Sequence, residues 1–207
     1  MARTVLKHKT ALILGAESPA GRAVALQLSR EGALVVLAGH DARRLQLLAE
    51  LIKAKGGSPA IAELSQDRNR NIAALLEARD ESGNHYHFLI NALASVEPPA
   101  DMPGHSHQLA HEIAEQVLAL IDGKGSVRVV TIWPGEGPGP APHLPPDYWH
   151  SVVRMANLEM AHDEAAPVHD PLMVKAAGAA DALVYLLSCP PSACPVEVRL
   201  EPRSVKV

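Results

Sequence analysis

The chain has 207 residues, 47% hydrophobic and 20% charged, with a formal net charge of −4. That length suits one well-buried α/β domain, and the composition excludes a disordered chain. The mild acidity leaves no footprint for nucleic acid or an anionic membrane, and one Phe, two Trp and three Tyr offer little for stacking on single strands.

The opening "MARTVLKHKT" is basic, but no signal-type segment follows. Ala11–Gly15 is far too short to cross a bilayer, so a cytoplasmic protein is expected. Lys9–Gly15 is a short apolar run closed by glycine, the pattern of a strand buried on both faces. Arg22–Gly32 carries Ala23, Val24, Leu26 and Leu28 at helical spacing and stops at glycine. Ala33–Gly39 predicts a second buried strand, and Asp41 can cap the helix "ARRLQLLAELIKAK", whose leucines share one face.

Pro59–Leu64 predicts a third strand, "DRNRNIAALLEARDESG" a third helix and His87–Ala94 a fourth strand. "HSHQLAHEIAEQVLALIDGKG" reads as a fourth helix and Ser126–Ile132 as a fifth strand. Such alternation predicts a Rossmann-type doubly wound parallel sheet in three α/β/α layers, with residues 1–207 as a single domain. Pro134–Asp147 is too rich in proline for a helix or central strand. Following a strand's C-terminal end, it is either a site-lining loop or a plain surface connection. "YWHSVVRMANLEMAHDEA" and "GAADALVYLLS" then read as helices, and "VEVRLEP" as a last strand. Cys189 and Cys194 lie in the proline-rich "SCPPSACP", too few for a disulfide framework or a thiolate metal site. His105, His107 and His111 read H-x-H-x3-H, but no carboxylate completes a catalytic metal pattern, and no metal is expected.

The stretch "KTALILGAESPAGRAVALQLSREGALVVLAGHDARRL" resembles the opening of a short-chain dehydrogenase/reductase. The family's turn, T-G-x-x-x-G-x-G, is matched here by Leu14, Gly15, Pro19 in the middle-glycine position, and Gly21. Gly15 permits the tight exit from the strand, and Gly21 the close approach of helix to sheet. The helix's first-turn amides then face a pyrophosphate, with Ser18, Ala20 and Gly21 in reach. Pro19 removes one amide and biases Ser18 toward extended geometry, while Glu17 brings an unhelpful negative charge. After the second strand, His40 takes the place of an arginine common in NADP-preferring relatives. With Arg43 it implies NADP(H) over NAD(H). Glu63 and Leu64 resemble the family's pair beside the adenine, and Asn91 in "LINALA" keeps the first asparagine of N-N-A-G.

The resemblance also implies a phenolic acid/base whose pKa, about 10 when unperturbed, is lowered by a lysine four residues on. Tyr148 stands at a suitable distance from the fifth strand, but the lysine position holds Val152 and the serine position Pro134. The fourth helix lacks the family's asparagine. His150, His143 and Arg154 are nearby, though at i+2 on a helix His150 would point away from Tyr148. No segment after "NLEMAHDEAAPVHDPLM" resembles the family's sixth strand, so the chain reads as shortened on its substrate side. The resemblance further implies a homodimer or homotetramer built on helices at His107–Leu120 and Tyr148–Met160. Three functions stand open. The chain is an NADP(H)-linked oxidoreductase acting on a small carbonyl or alcohol, a non-catalytic nucleotide-binding or regulatory relative, or an interaction subunit that binds no dinucleotide.

Overall fold

Thr10–Leu14 (β1) is buried at every position because helices cover both faces of its sheet. The computed structural model describes residues 6–65, 67–81, 86–93, 127–134, 149–155, 176–190 and 193–200. Six further strands flank β1: β2 (Leu34–Gly39), β3 (Pro59–Glu63), β4 (Phe88–Asn91), β5 (Arg128–Pro134), β6 (Trp149–Met155) and β7 (Glu197–Leu200). They form one seven-stranded sheet in the order β3-β2-β1-β4-β5-β6-β7, with every neighbouring pair parallel. The doubly wound Rossmann-type sheet expected from the alternation is therefore present.

Period-two alternation along the strands divides the core between two faces. Ala11, Ile13, Val35, Leu37, Ile90, Val130 and Val153 turn toward α1 (Pro19–Arg30), α2 (Ala42–Ala54) and α4 (Ala176–Ser188). Leu12, Leu14, Val36, Ala38, Leu89 and Val129 turn the other way, toward Leu75 and Ala78 of α3 (Arg68–Glu81). Local chemistry fixes the ends of the helices. Asp41 caps α2 by accepting from the Arg44 amide at 3.0 Å, and Asp67 accepts from the amides of Asn69 and Arg70. At the far end of α4, the Arg128 guanidinium donates to the carbonyls of Leu186, Leu187 and Cys189, at 3.3, 3.1 and 2.6 Å. That guanidinium satisfies carbonyls which a helix C-terminus leaves without partners.

One expectation fails outright. The segment read as a helix from Tyr148 is, over Trp149–Met155, a strand paired in parallel register with β5, Arg128 opposite Trp149 through Pro134 opposite Met155. It is the sixth strand of the sheet, sought in the sequence after Met173 and found before Asn157. The physical reason lies in its burial: Ser151, Val153 and Met155 are buried while His150, Val152 and Arg154 are half-buried, a period of two that no helix produces. The association helix expected at Tyr148–Met160 consequently does not exist over 149–155. Its counterpart at His107–Leu120, the Pro134–Asp147 loop beyond Pro134 itself, and the histidines at 105, 107 and 111 lie outside the described residues. Among the described residues no helix is long and apolar enough to cross a membrane, and no group of three metal-ligating side chains gathers.

Candidate functional site

The strand order reverses between β1 and β4, and ligands of open α/β sheets bind outside the C-terminal ends of strands at such a point. The turn leaving β1 is tied to the neighbouring strand. The amides of Gly15 and Ala16 both donate to the Ala38 carbonyl, at 2.8 and 3.1 Å, and the Ser18 amide donates to the Gly15 carbonyl at 3.0 Å. Gly15 has φ +75°, and a Cβ there would come within 2.9 Å of the Ala92 and Leu93 backbone. A Cβ on Gly21 would collide with the Gly15 carbonyl, so helix and turn touch backbone to backbone. These are the two positions where the sequence retains glycine, and both need it for the reasons expected.

Pro19 is resolved by its position. It is the first residue of α1, where a backbone N–H has no intrahelical partner in any helix and where the fixed φ of proline suits the helix. Ser18 is the N-cap, extended at φ −70° and ψ 157°, the geometry a following proline favours. Its Oγ accepts from the Gly21 amide at 2.9 Å. Ser18 is thus committed to the helix, and the Ala20 amide bonds to no other described residue. Ala16 and Ala20 are fully buried and Ser18 is 1% exposed.

Around the end of β2 two predicted residues, His40 and Leu64, meet Glu17. The His40 amide donates to Glu17 Oε1 at 2.8 Å, and His40 Nδ1 lies 3.1 Å from the Leu64 carbonyl. Because a carbonyl only accepts, Nδ1 carries a proton and donates to it. The Leu64 amide donates to the Gly39 carbonyl at 2.7 Å, holding the end of β3 against β2. Glu63 is exposed and lines a groove with Ser65, Arg70 and Glu77 on the α3 side of β3. Arg43 is exposed at the start of α2 and forms no ion pair with this cluster, whereas Arg44 pairs with Asp41 at 3.3 Å. Asn91 ends β4 beside Leu14, 8% exposed, with Oδ1 accepting from the Leu93 amide at 3.2 Å.

Among the described residues no acid/base set gathers at this edge. Tyr148 lies outside the described residues. Val152 sits inside β6, its amide donating to the Val196 carbonyl at 2.9 Å, so the relation of four residues along one helix face does not arise. Pro134 closes β5. His150 Nε2 meets Thr131 Oγ1 at 3.1 Å, but His150 is level with Val129, near the sheet's N-terminal edge and away from the turn. Burial lowers its pKa to about 4, so it is neutral at physiological pH. Arg154 is held by Glu197 at 2.7 Å. No lysine occurs in the sequence between Lys124 and Lys175. Sequence reasoning also undervalued Glu17. An acid inside the glycine turn, facing a bare glycine at the end of β2, was the available signal.

No family model matches the chain. Over 72 residues it is 38% identical to the 3-oxoacyl-acyl-carrier-protein reductase FabG of Pseudomonas aeruginosa, covering 35% of this chain and 29% of that one. It is 33% identical over 72 residues to the uncharacterized oxidoreductase Lmo0432 of Listeria monocytogenes, again covering 35% and 29%. The matches thus span less than a third of these relatives. Among solved structures, a metagenomic short-chain oxidoreductase in complex with NADP superposes with a TM-score of 0.69 at 18% identity, covering 96% of this chain and 99% of that one. An alcohol dehydrogenase of Thermococcus sibiricus complexed with 5-hydroxy-NADP gives 0.70 at 15% identity, with 96% and 98% covered. At such identities the superpositions establish the fold.

Proposed function

We infer that this chain, which belongs by fold and by local sequence identity to the short-chain dehydrogenase/reductase family, binds a nicotinamide dinucleotide at the β1–α1 turn. The donor set supports it. Gly15 and Gly21 let backbone approach backbone, the Ala20 amide bonds to no other described residue at a helix N-terminus, and the His40–Leu64 pair borders the adenosine side. Gly15, Ser18, Ala20, Gly21, His40, Arg43, Glu63, Leu64 and Asn91 are the residues proposed to frame the cofactor, with Ser18 acting through the helix it caps. A bound nicotinamide would supply a hydride to give or accept. NADP(H) has His40 and Arg43 in its favour on sequence grounds, and Glu17 against it.

Of the two functions built on that binding, we favour a non-catalytic nucleotide-binding or regulatory role over reduction of a small carbonyl. One observation carries the choice: Trp149–Met155 is a strand, not the helix that would place a lysine one turn from Tyr148. A phenol near its ordinary pKa of about 10 is a poor proton exchanger at neutral pH, and losing general acid–base help costs typically about 10²–10⁴-fold. The oxidoreductase reading keeps support from the reductase named FabG and from Tyr148 itself.

Calorimetric titration with NADH and NADPH, followed by a broad carbonyl panel, tests both. Saturable dinucleotide binding without turnover is the expected outcome. Absence of any binding would leave the interaction-subunit reading. Turnover that disappears in Tyr148→Phe would restore the oxidoreductase acting on a small carbonyl or alcohol.

A further inference from the structure

Glu17 is a carboxylate buried at the ligand end of the sheet, 9% exposed. One oxygen, Oε1, accepts the His40 amide at 2.8 Å, while Oε2 is buried with no hydrogen-bond partner among the described residues. The carboxylate lies directly over Gly39, where any Cβ would collide with it. No cation pairs with it among the described residues. A buried acceptor left without a donor is unusual in a folded protein and calls for a missing partner.

The position says what that partner is. In open α/β sheets a dinucleotide with its pyrophosphate on the first helix sends its adenosine ribose to the end of β2, where an acidic side chain from that strand ordinarily accepts the hydroxyls. Here β2 ends in Gly39, with His40 just beyond it, and the acid arrives instead from the glycine turn, across the bare Gly39. The His40 ring is held in place beside it by its Nδ1–H donating to the Leu64 carbonyl. A carboxylate with an unpartnered oxygen suits the hydroxyl donors of an unphosphorylated ribose. A 2′-phosphate would replace one donor by an anion facing a carboxylate. Arg43, the cation such a phosphate needs, is exposed on α2 and forms no ion pair with Glu17.

We propose that Glu17 is the specificity-determining residue of the dinucleotide site, selecting an NAD-type cofactor and rejecting its 2′-phosphorylated counterpart. The proposal rests on the dinucleotide reading and deepens it.

The test is calorimetric titration of the full chain and of its Glu17→Gln and Glu17→Ala variants with NADH and with NADPH. The wild type should bind NADH more tightly by on the order of tenfold or more, the scale of one lost charge-assisted contact. Glu17→Gln, nearly isosteric, should narrow that ratio by gaining NADPH affinity, and Glu17→Ala should lose NADH affinity. A wild type that prefers NADPH overturns the proposal while leaving dinucleotide binding intact. So does an unchanged ratio in a folded variant. If both variants bind both cofactors more tightly by the same factor, Glu17 merely fills the ribose position, and the proposal is also overturned. A wild type that binds neither cofactor sinks the dinucleotide reading itself, which separates the two failures. Should a variant not fold, the wild-type ratio still decides.

Discussion

Replacing Ser18 by alanine separates the two roles a serine in this turn can have. In the structure its Oγ accepts from the Gly21 amide at 2.9 Å, and both residues are buried. Removing an N-cap serine typically costs ~1 kcal/mol, within a range of about 0.5–2. The Gly21 amide would be stranded away from water, which places the cost toward the top of that range, about 1.5–2 kcal/mol. For a chain of this size each kcal/mol moves the midpoint by roughly 2–4 °C, so Tm should fall by about 3–8 °C. Urea denaturation should show a lower midpoint with an unchanged slope, because the surface exposed on unfolding does not change. Ser18→Asn, an equally good cap, should recover most of the loss. Dinucleotide affinity should hold or improve in Ser18→Ala, since a Gly21 donor is released toward the phosphates. A stable Ser18→Ala variant that loses the ligand would refute this reasoning and make Ser18 a direct phosphate contact.

Further outcomes follow from other contacts. Gly21→Ala drives a Cβ into the Gly15 carbonyl and should destabilise by roughly 1–3 kcal/mol while weakening dinucleotide binding, checked by denaturation and calorimetry. Arg128→Met removes the donor to three carbonyls at the end of α4 and should cost about 1.5–3 kcal/mol. Hydrogen exchange should accelerate selectively in the last turn of that helix, with Arg128→Lys recovering part of the loss. His150, whose pKa burial lowers to about 4, takes up its proton in the unfolded chain first. Its contribution is therefore complete above the ordinary histidine value of about 6.5 and is lost as pH falls through 4. His150→Gln should flatten the pH dependence of stability in that window, and an NMR titration of the ring should give a value well below 6.5.

The alternation of apolar runs and amphipathic segments made most of the sheet legible, because strands buried on both faces are short and aliphatic and their helices show one apolar stripe. Boundaries moved by a few residues, as at α1, which starts at Pro19 rather than Arg22 because serine followed by proline is a cap and a first turn. β6 was misread for a different reason. Its alternation was present in "WHSVVRM", but the expected partner of Tyr148 imposed a helical spacing on it. The nucleotide turn was legible in its glycines, which answer to local backbone geometry. Glu17 was not, because its meaning depends on the end of β2, more than twenty residues away in sequence and in contact only after folding.

Pro19 bears on how a ligand would be received. A proline ring at the head of α1, a serine cap behind it and two amides anchored on Ala38 fix the turn's shape before any phosphate arrives. Ordering a loop is one of the main entropic penalties of association, and this loop has little disorder left to lose. The same stiffness denies the turn the freedom to mould itself around differently shaped anions. Selectivity at this end of the sheet therefore falls to side chains, and Glu17 is the one buried there with an oxygen to spare.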